Sequence, residues 1–228
     1  MNLPLHKLVD DANLYGREYF DGYYLNDRRR ESMYKQEYKR IQGRIQPSRV
    51  LDIGCGIGGF LNCFDDRWDK YGYEPSEFAA SKAAKHGIMM MRNLHTLDTE
   101  SMDLVILRGS IQHINFPMET LVQATRILRR GGLLAILATP DTDSLVYKLW
   151  GNLPALDAPR NWILFGSRML SNILKRLGYE RVEVIHPYLG SPYAEPFKDF
   201  GKFFLSLFFG WRKFAFPGNM MEVYAVKQ

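Results

Sequence analysis

Val50-Leu51-Asp52-Ile53-Gly54-Cys55-Gly56-Ile57-Gly58-Gly59-Phe60 runs from an apolar stretch through an acid into a glycine cluster, then into residues able to open a helix. Glycine lacks Cβ and tolerates positive φ, so the backbone here can turn tightly and let a ligand approach closely. A helix starting at Ile57 would aim its unpaired N–H groups into the crevice beyond the strand. Strand, glycine turn and helix in that order form a cradle for a nucleotide-containing cofactor in an α/β sheet.

Working outward, the chain alternates strand and helix signals. Ser48 to Ile53 reads as the first strand. Lys70-Tyr71-Gly72-Tyr73-Glu74 reads as a second, ended by Pro75, with Ser76 placed to cap a helix that runs through His86 to Gly87. Ile88 to Met91 is a third strand, and Asp103 to Leu107, nearly all apolar, is a fourth that is buried on both faces. Pro117 starts a helix expected to reach Arg130, where Gly131-Gly132 stops it, and Leu133 to Thr139 is a fifth strand. Residues 141–164 read as a loop with short helices over the carboxyl edge of the sheet. Ser167 to Leu177 is helical, and Tyr179 to Ile185 and Met221 to Val226 are the last strands. This alternation predicts a parallel, doubly wound sheet.

Before the first strand, Tyr15, Tyr19, Phe20, Tyr23 and Tyr24 recur at helical spacing, and Asp27 to Arg44 is rich in helix formers. Residues 1–46 are therefore expected to form a helical cap, with 47–228 as the main domain and a lid insertion at 187–218. Between Phe197 and Phe216 the sequence carries an aromatic stripe with Lys198, Lys202, Arg212 and Lys213. Packing on the core, covering an apolar substrate and touching a membrane surface are all open to it.

At 228 residues the chain has material for a sizeable core. Its net charge of +5 is spread among interspersed acids rather than gathered in a stripe, which argues against a nucleic-acid partner. Cys55 and Cys63 have neither disulfide-framework nor zinc spacing, as expected of a reducing cytoplasm. No secretion signal or spanning apolar run is evident, so a cytoplasmic location is expected.

Gly54, Gly56 and Gly59 satisfy G-x-G-x-x-G, which a nicotinamide cofactor could also use. Asp52 would repel a pyrophosphate but attract S-adenosylmethionine, which has a cationic amino group, a sulfonium and no phosphate. Glu74, ending the second strand, is placed to hold both hydroxyls of a ribose, whichever cofactor carries it. Asp52-x-Gly54-x-Gly56 with Glu74-Pro75 resembles the class I S-adenosylmethionine-dependent methyltransferases. So do Asp103-Leu104-Val105-Ile106, Ile111-Gln112-His113-Ile114, Arg126-Ile127-Leu128-Arg129-Arg130-Gly131-Gly132 and the terminal Glu222 to Lys227. Within that superfamily the chain is most similar to the small-molecule, ubiquinone-biosynthesis-like branch.

The resemblance implies a Rossmann-like seven-stranded sheet of order 3-2-1-4-5-7-6 with strand 7 antiparallel. It implies that Asp52 and the backbone of Gly54, Cys55, Gly56 and Ile57 hold the methionine side of the cofactor, and Glu74 the ribose. Pro75, Asn93 and Leu94 would meet the adenine, and Arg108 and Gly109 would line the methionine end. His113 is the candidate base, with a role shaping the pocket as the alternative. Relatives in this branch carry a Glu-x-x-Glu-His metal set where this chain has Gly109, Gln112 and His113, so no metal is expected. They also often place a histidine near Asn161, which is absent here. The expected function is methyl transfer to an oxygen or nitrogen of a small or lipid-like molecule. The alternatives are a nicotinamide oxidoreductase and a non-catalytic cofactor-binding or scaffold protein on the same fold.

Overall fold

Apolar side chains alternate across the central strands, and helices pack on both faces. The computed structural model describes residues 20, 28–153, 156, 161–189, 194–209 and 214–228. Helix α1 (Arg28–Gln42) precedes β1 (Arg49–Ile53), β2 (Asp69–Tyr73), α2 (Glu77–Ala84), β3 (Met89–Met91) and β4 (Met102–Arg108). Then follow α3 (Pro117–Ile127), β5 (Leu128–Pro140), α4 (Leu145–Trp150), α5 (Ser167–Arg176), β6 (Tyr179–Ile185), α6 (Pro196–Phe209) and β7 (Met220–Lys227). The seven strands form one sheet of order β3-β2-β1-β4-β5-β7-β6. β7 runs antiparallel to both neighbours, and the other pairings are parallel. The fold expected from the sequence is the fold observed.

Because side chains alternate along a strand, β4 sends Val105 and Leu107 to one face and Leu104 and Ile106 to the other. The first face packs against Leu121, Ala124 and Ile127 of α3 and Leu170 and Leu174 of α5. The second packs against Tyr34, Tyr38 and Ile41 of α1 and against Phe60, Phe64 and Trp68. In α1 the buried residues are Tyr34, Glu37, Tyr38 and Ile41, one stripe at helical spacing. Of the cap expected at 1–46, α1 and Phe20 are described; Tyr15, Tyr19, Tyr23 and Tyr24 lie outside the described residues, as do Arg212 and Lys213.

Two expectations need correction. No α-helix starts at Ile57: the chain turns through 56–59 and forms only a 3-10 turn at Leu61–Cys63. Gly58 sits at φ +81°, a value an α-helix cannot contain, and a Cβ there would fall 2.5 Å from Ile88 Cδ1. Nor do Gly131 and Gly132 stop the helix begun at Pro117. That helix ends at Ile127, and β5 runs straight through both glycines. Met102 pairs with Leu128 but Leu104 pairs with Leu133, so Gly131 and Gly132 lie in an irregularity of the ladder. A Cβ on Gly132 would meet the carbonyl oxygens of Arg129 at 2.8 Å and Asp103 at 2.9 Å. Ser76 does cap α2, accepting from the Ala79 N–H.

Candidate functional site

The strand order reverses between β1 and β4, and ligands in such sheets settle at the carboxyl ends on either side of that point. The ends are tied together there. The Gly54 and Cys55 N–H groups donate to the Tyr73 carbonyl at 2.8 and 3.2 Å, and Gly109 N–H donates to Leu137 O at 2.8 Å. Ser110 Oγ–H donates to Ile53 O at 2.7 Å. A cavity of about 400 Å3 opens over this edge. Of the residues expected to hold a cofactor, Gly54, Gly56, Glu74, Pro75, Asn93, Leu94, Arg108 and Gly109 line it, together with His113.

Asp52, Cys55 and Ile57 do not line the cavity. Asp52 lies one residue inside it, paired in register with Gly72 and Ile106 on the neighbouring strands. Its carboxylate is buried, and Oδ1 has no hydrogen-bond partner among the described residues. Burial pushes this carboxyl up to about 7; Arg108 pulls it back, and the charges of Glu74 and Glu37 add to the rise. A buried, unpartnered carboxylate oxygen at the mouth of a glycine turn fits a cationic N–H donor and would repel a phosphate. The turn needs glycine at Gly54: at φ +82° it packs against Ser110, and a Cβ there would lie 2.6 Å from Ser110 Cβ.

The Cys55 thiol faces the core, where a Cβ on Gly72 would fall 2.7 Å from Sγ. Burial pushes that thiol up, so it is inert, and only the backbone of Cys55 faces the loop. Glu74 holds the turn itself. Its Oε2 accepts from Gly56 N–H at 2.9 Å and its Oε1 from Ser76 N–H at 3.0 Å. Burial raises its pKa while those two N–H groups lower it, and each oxygen keeps a lone pair for another donor. Asn93 Oδ1 accepts from His95 N–H at 2.9 Å, fixing the 3-10 turn Leu94–Thr96 at the cavity wall. The Gln112 side-chain amide nitrogen lies 3.4 Å from His113 Nε2.

Several residues of the site were not named as site residues from the sequence. Glu37 of α1 is buried and grips Arg108 by two bonds, Nε to Oε2 at 2.6 Å and Nη2 to Oε1 at 3.2 Å. The Arg108 guanidinium also lies 4.3 Å from the Tyr34 ring centroid. Glu119, Thr120 and Gln123 of α3 and Phe20 also line the wall. The spacing of the α3 residues after Pro117 could have pointed to them; nothing local marks Glu37. A carboxylate–histidine pair stands on the same edge but outside the cavity wall. Asp141 Oδ2 lies 2.7 Å from His186 Nε2, and Oδ1 accepts from the Asp143 and Ser167 N–H groups.

Comparison with known proteins gives concordant results. Residues 25–184 match the family model described as the methyltransferase domain, more than half of the chain. An uncharacterized protein of Methanocaldococcus jannaschii is 26% identical over 158 residues, 67% of this chain and 75% of that protein. The fold resembles an S-adenosylmethionine-dependent methyltransferase of Thermotoga maritima, with 21% identity, 95% of each chain covered and a TM-score of 0.64. It also resembles a Haemonchus contortus phosphoethanolamine N-methyltransferase solved with phosphomonomethylethanolamine and S-adenosylhomocysteine. That match has a TM-score of 0.57 and 20% identity, covering 84% of this chain and 52% of the other.

Proposed function

The chain belongs to the methyltransferase-domain family, and on that premise we propose that it transfers a methyl group from S-adenosylmethionine to an oxygen or nitrogen of a small or lipid-like acceptor. The observation that carries this reading is the buried Oδ1 of Asp52, without a partner among the described residues beside the glycine turn. It supports a cofactor with a cationic amino group over one with a pyrophosphate.

The cofactor supplies a methyl group on a positively charged sulfur, open to in-line displacement. The chain's own residues do the rest. Asp52 takes the amino group, and Gly54 and Gly56 admit the cofactor against the backbone. Glu74 accepts from the ribose hydroxyls through its remaining lone pairs. Pro75, Asn93 and Leu94 face the adenine, while Arg108 and Gly109 wall the methionine end. Where the acceptor is a hydroxyl, His113 takes its proton. Holding acceptor and methyl carbon in line supplies most of the rate, because little other chemistry is required of the protein.

Isothermal titration with S-adenosylmethionine, S-adenosylhomocysteine and NAD tests the cofactor assignment. Binding of the first two, and its strong loss in Asp52→Ala without unfolding, is expected. NAD binding alone would refute it. A screen of hydroxylated and amine acceptors with radiolabelled cofactor then tests methyl transfer itself.

A further inference from the structure

Helix α6 is turned inside out. A surface helix of a globular protein buries its apolar stripe and shows water its polar one. In α6 the residues facing the protein include Asp199 and Ser206, both buried, with Lys202 and Phe203 half-buried between them. Asp199 Oδ2 accepts from the Tyr188 hydroxyl at 2.9 Å and from Glu195 N–H at 2.8 Å, so the acid is locked inward. Phe203 stacks on Phe216 with ring centroids 4.5 Å apart and meets Trp150 of α4 edge-on. The outward face is Phe197, Phe200, Phe204, Leu205, Leu207 and Phe208, with Phe197 97% and Phe208 82% exposed. On α4, which touches α6 through Trp150, Leu145 and Leu149 are exposed as well. An apolar surface this continuous marks a contact site rather than scattered exposure.

We infer that α6 is a membrane-docking helix that lies in the interface of a lipid bilayer carrying anionic headgroups. The border of the apolar face and the chain's net charge of +5 select this occupant. Asp199 is turned inward, while Lys198, its side chain 69% exposed and paired with Glu195 Oε1 at 2.9 Å, and the half-buried Lys202 border the apolar face on one side. Phenylalanine and leucine beside lysine suit the boundary between acyl chains and headgroups. The helix does not span. Its 14 residues reach about 21 Å, against about 30 Å of hydrocarbon, and no described helix is long and apolar enough to cross a membrane. The inference does not rest on the methyl-transfer reading.

The test is cosedimentation of the full chain with vesicles of phosphatidylcholine alone and with roughly one-third phosphatidylglycerol. Wild-type protein is expected to pellet with the anionic vesicles, less at high salt, and weakly with phosphatidylcholine alone. Phe204→Ser/Phe208→Ser should reduce the bound fraction at least about tenfold with unchanged melting and cofactor titration. Lys198→Glu, at an exposed site, should weaken binding to the anionic vesicles alone. Absence of vesicle binding by the wild type, or equal binding by the double variant, overturns the proposal. So does a wild-type dimer that the double variant converts to monomer without any vesicle binding.

Discussion

A carboxyl buried at the end of β1, one oxygen of which has no partner among the described residues, opposes folding of the ligand-free protein wherever it is ionised. Asp52 carries a pKa of about 7 in the fold against an ordinary 3.8. A raised carboxyl pKa means that the folded state binds more protons than the unfolded chain between those values. Stability is thus fully retained below about pH 4 and declines as pH rises to about 7, after which the loss is constant. Asp52→Asn should leave urea stability near pH 4 almost unchanged and raise it at pH 8 by at most about 4 kcal/mol. The same carboxylate must be ionised to hold a cation. Cofactor affinity of the wild type should therefore rise with pH through about 7, whereas in Asp52→Asn it should be flat and about 10- to 100-fold weaker. A flat wild-type profile would remove Asp52 from the cofactor's amino group. His113 makes a separate prediction. With a hydroxyl acceptor, His113→Ala should lower kcat about 100- to 1,000-fold while cofactor affinity changes little. His186→Ala, outside the cavity wall, should leave kcat near wild type, and the opposite pattern would transfer the base role to the pair with Asp141.

At the scale of elements, legibility followed how local the deciding contacts are. β1, β4 and β5 were readable because buried parallel strands need unbroken apolar runs. Glu74 was readable because it ends a strand two residues before a capping serine. The helix expected after the glycine turn failed because Gly58 takes a left-handed φ, which composition alone does not reveal. The end of α3 failed because Leu128-Arg129-Arg130 are good helix formers that Met102 nevertheless recruits into the sheet. Gly132→Ala tests that account: two backbone carbonyls must give way, so a loss of about 2–4 kcal/mol in unfolding free energy is expected. Glu37 was unreadable for a different reason. Its partner Arg108 lies 71 residues away, and its surroundings in sequence look like any charged helix. Glu37→Ala leaves the Arg108 guanidinium without its buried carboxylate and should cost about 3–5 kcal/mol. Glu37→Leu/Arg108→Leu should cost much less than the two single changes added, since the pair vanishes together; additive losses in chemical denaturation would show the pair uncoupled.

For the whole molecule the question is where the fold begins. The sequence suggests a cap at 1–46 laid over a domain at 47–228, yet α1 enters the core of that domain. Its Tyr34, Tyr38 and Ile41 belong to the cluster that covers Val50, Leu104, Ile106 and Tyr224 of the sheet. Ion pairs of α1 and the turn after it reach three strands: Glu37 to Arg108 on β4, Arg40 to Glu222 on β7 at 2.8 and 2.5 Å, and Arg44 to Glu183 on β6 at 2.8 Å. The last pair is exposed and contributes little. The other two involve acids that are buried, and Glu222 also accepts from the Tyr224 hydroxyl at 2.6 Å. A chain starting at residue 47 would forgo about 1.5–3 kcal/mol for each of the three apolar side chains. It would also take from the buried Glu222 and the cavity-wall Arg108 their ion-pair partners on α1, at a further several kcal/mol. Together these match the whole stability of an ordinary domain, about 5–15 kcal/mol. Residues 47–228 alone should therefore lose near-ultraviolet dichroism, bind ANS and show no cooperative melting. A chain starting at residue 28 keeps α1 and should melt cooperatively. It lacks Phe20, which lines the cavity, so its cofactor titration should weaken although its fold persists. Cooperative melting of 47–228 close to that of the full chain would show that α1 is a cap and the core complete without it.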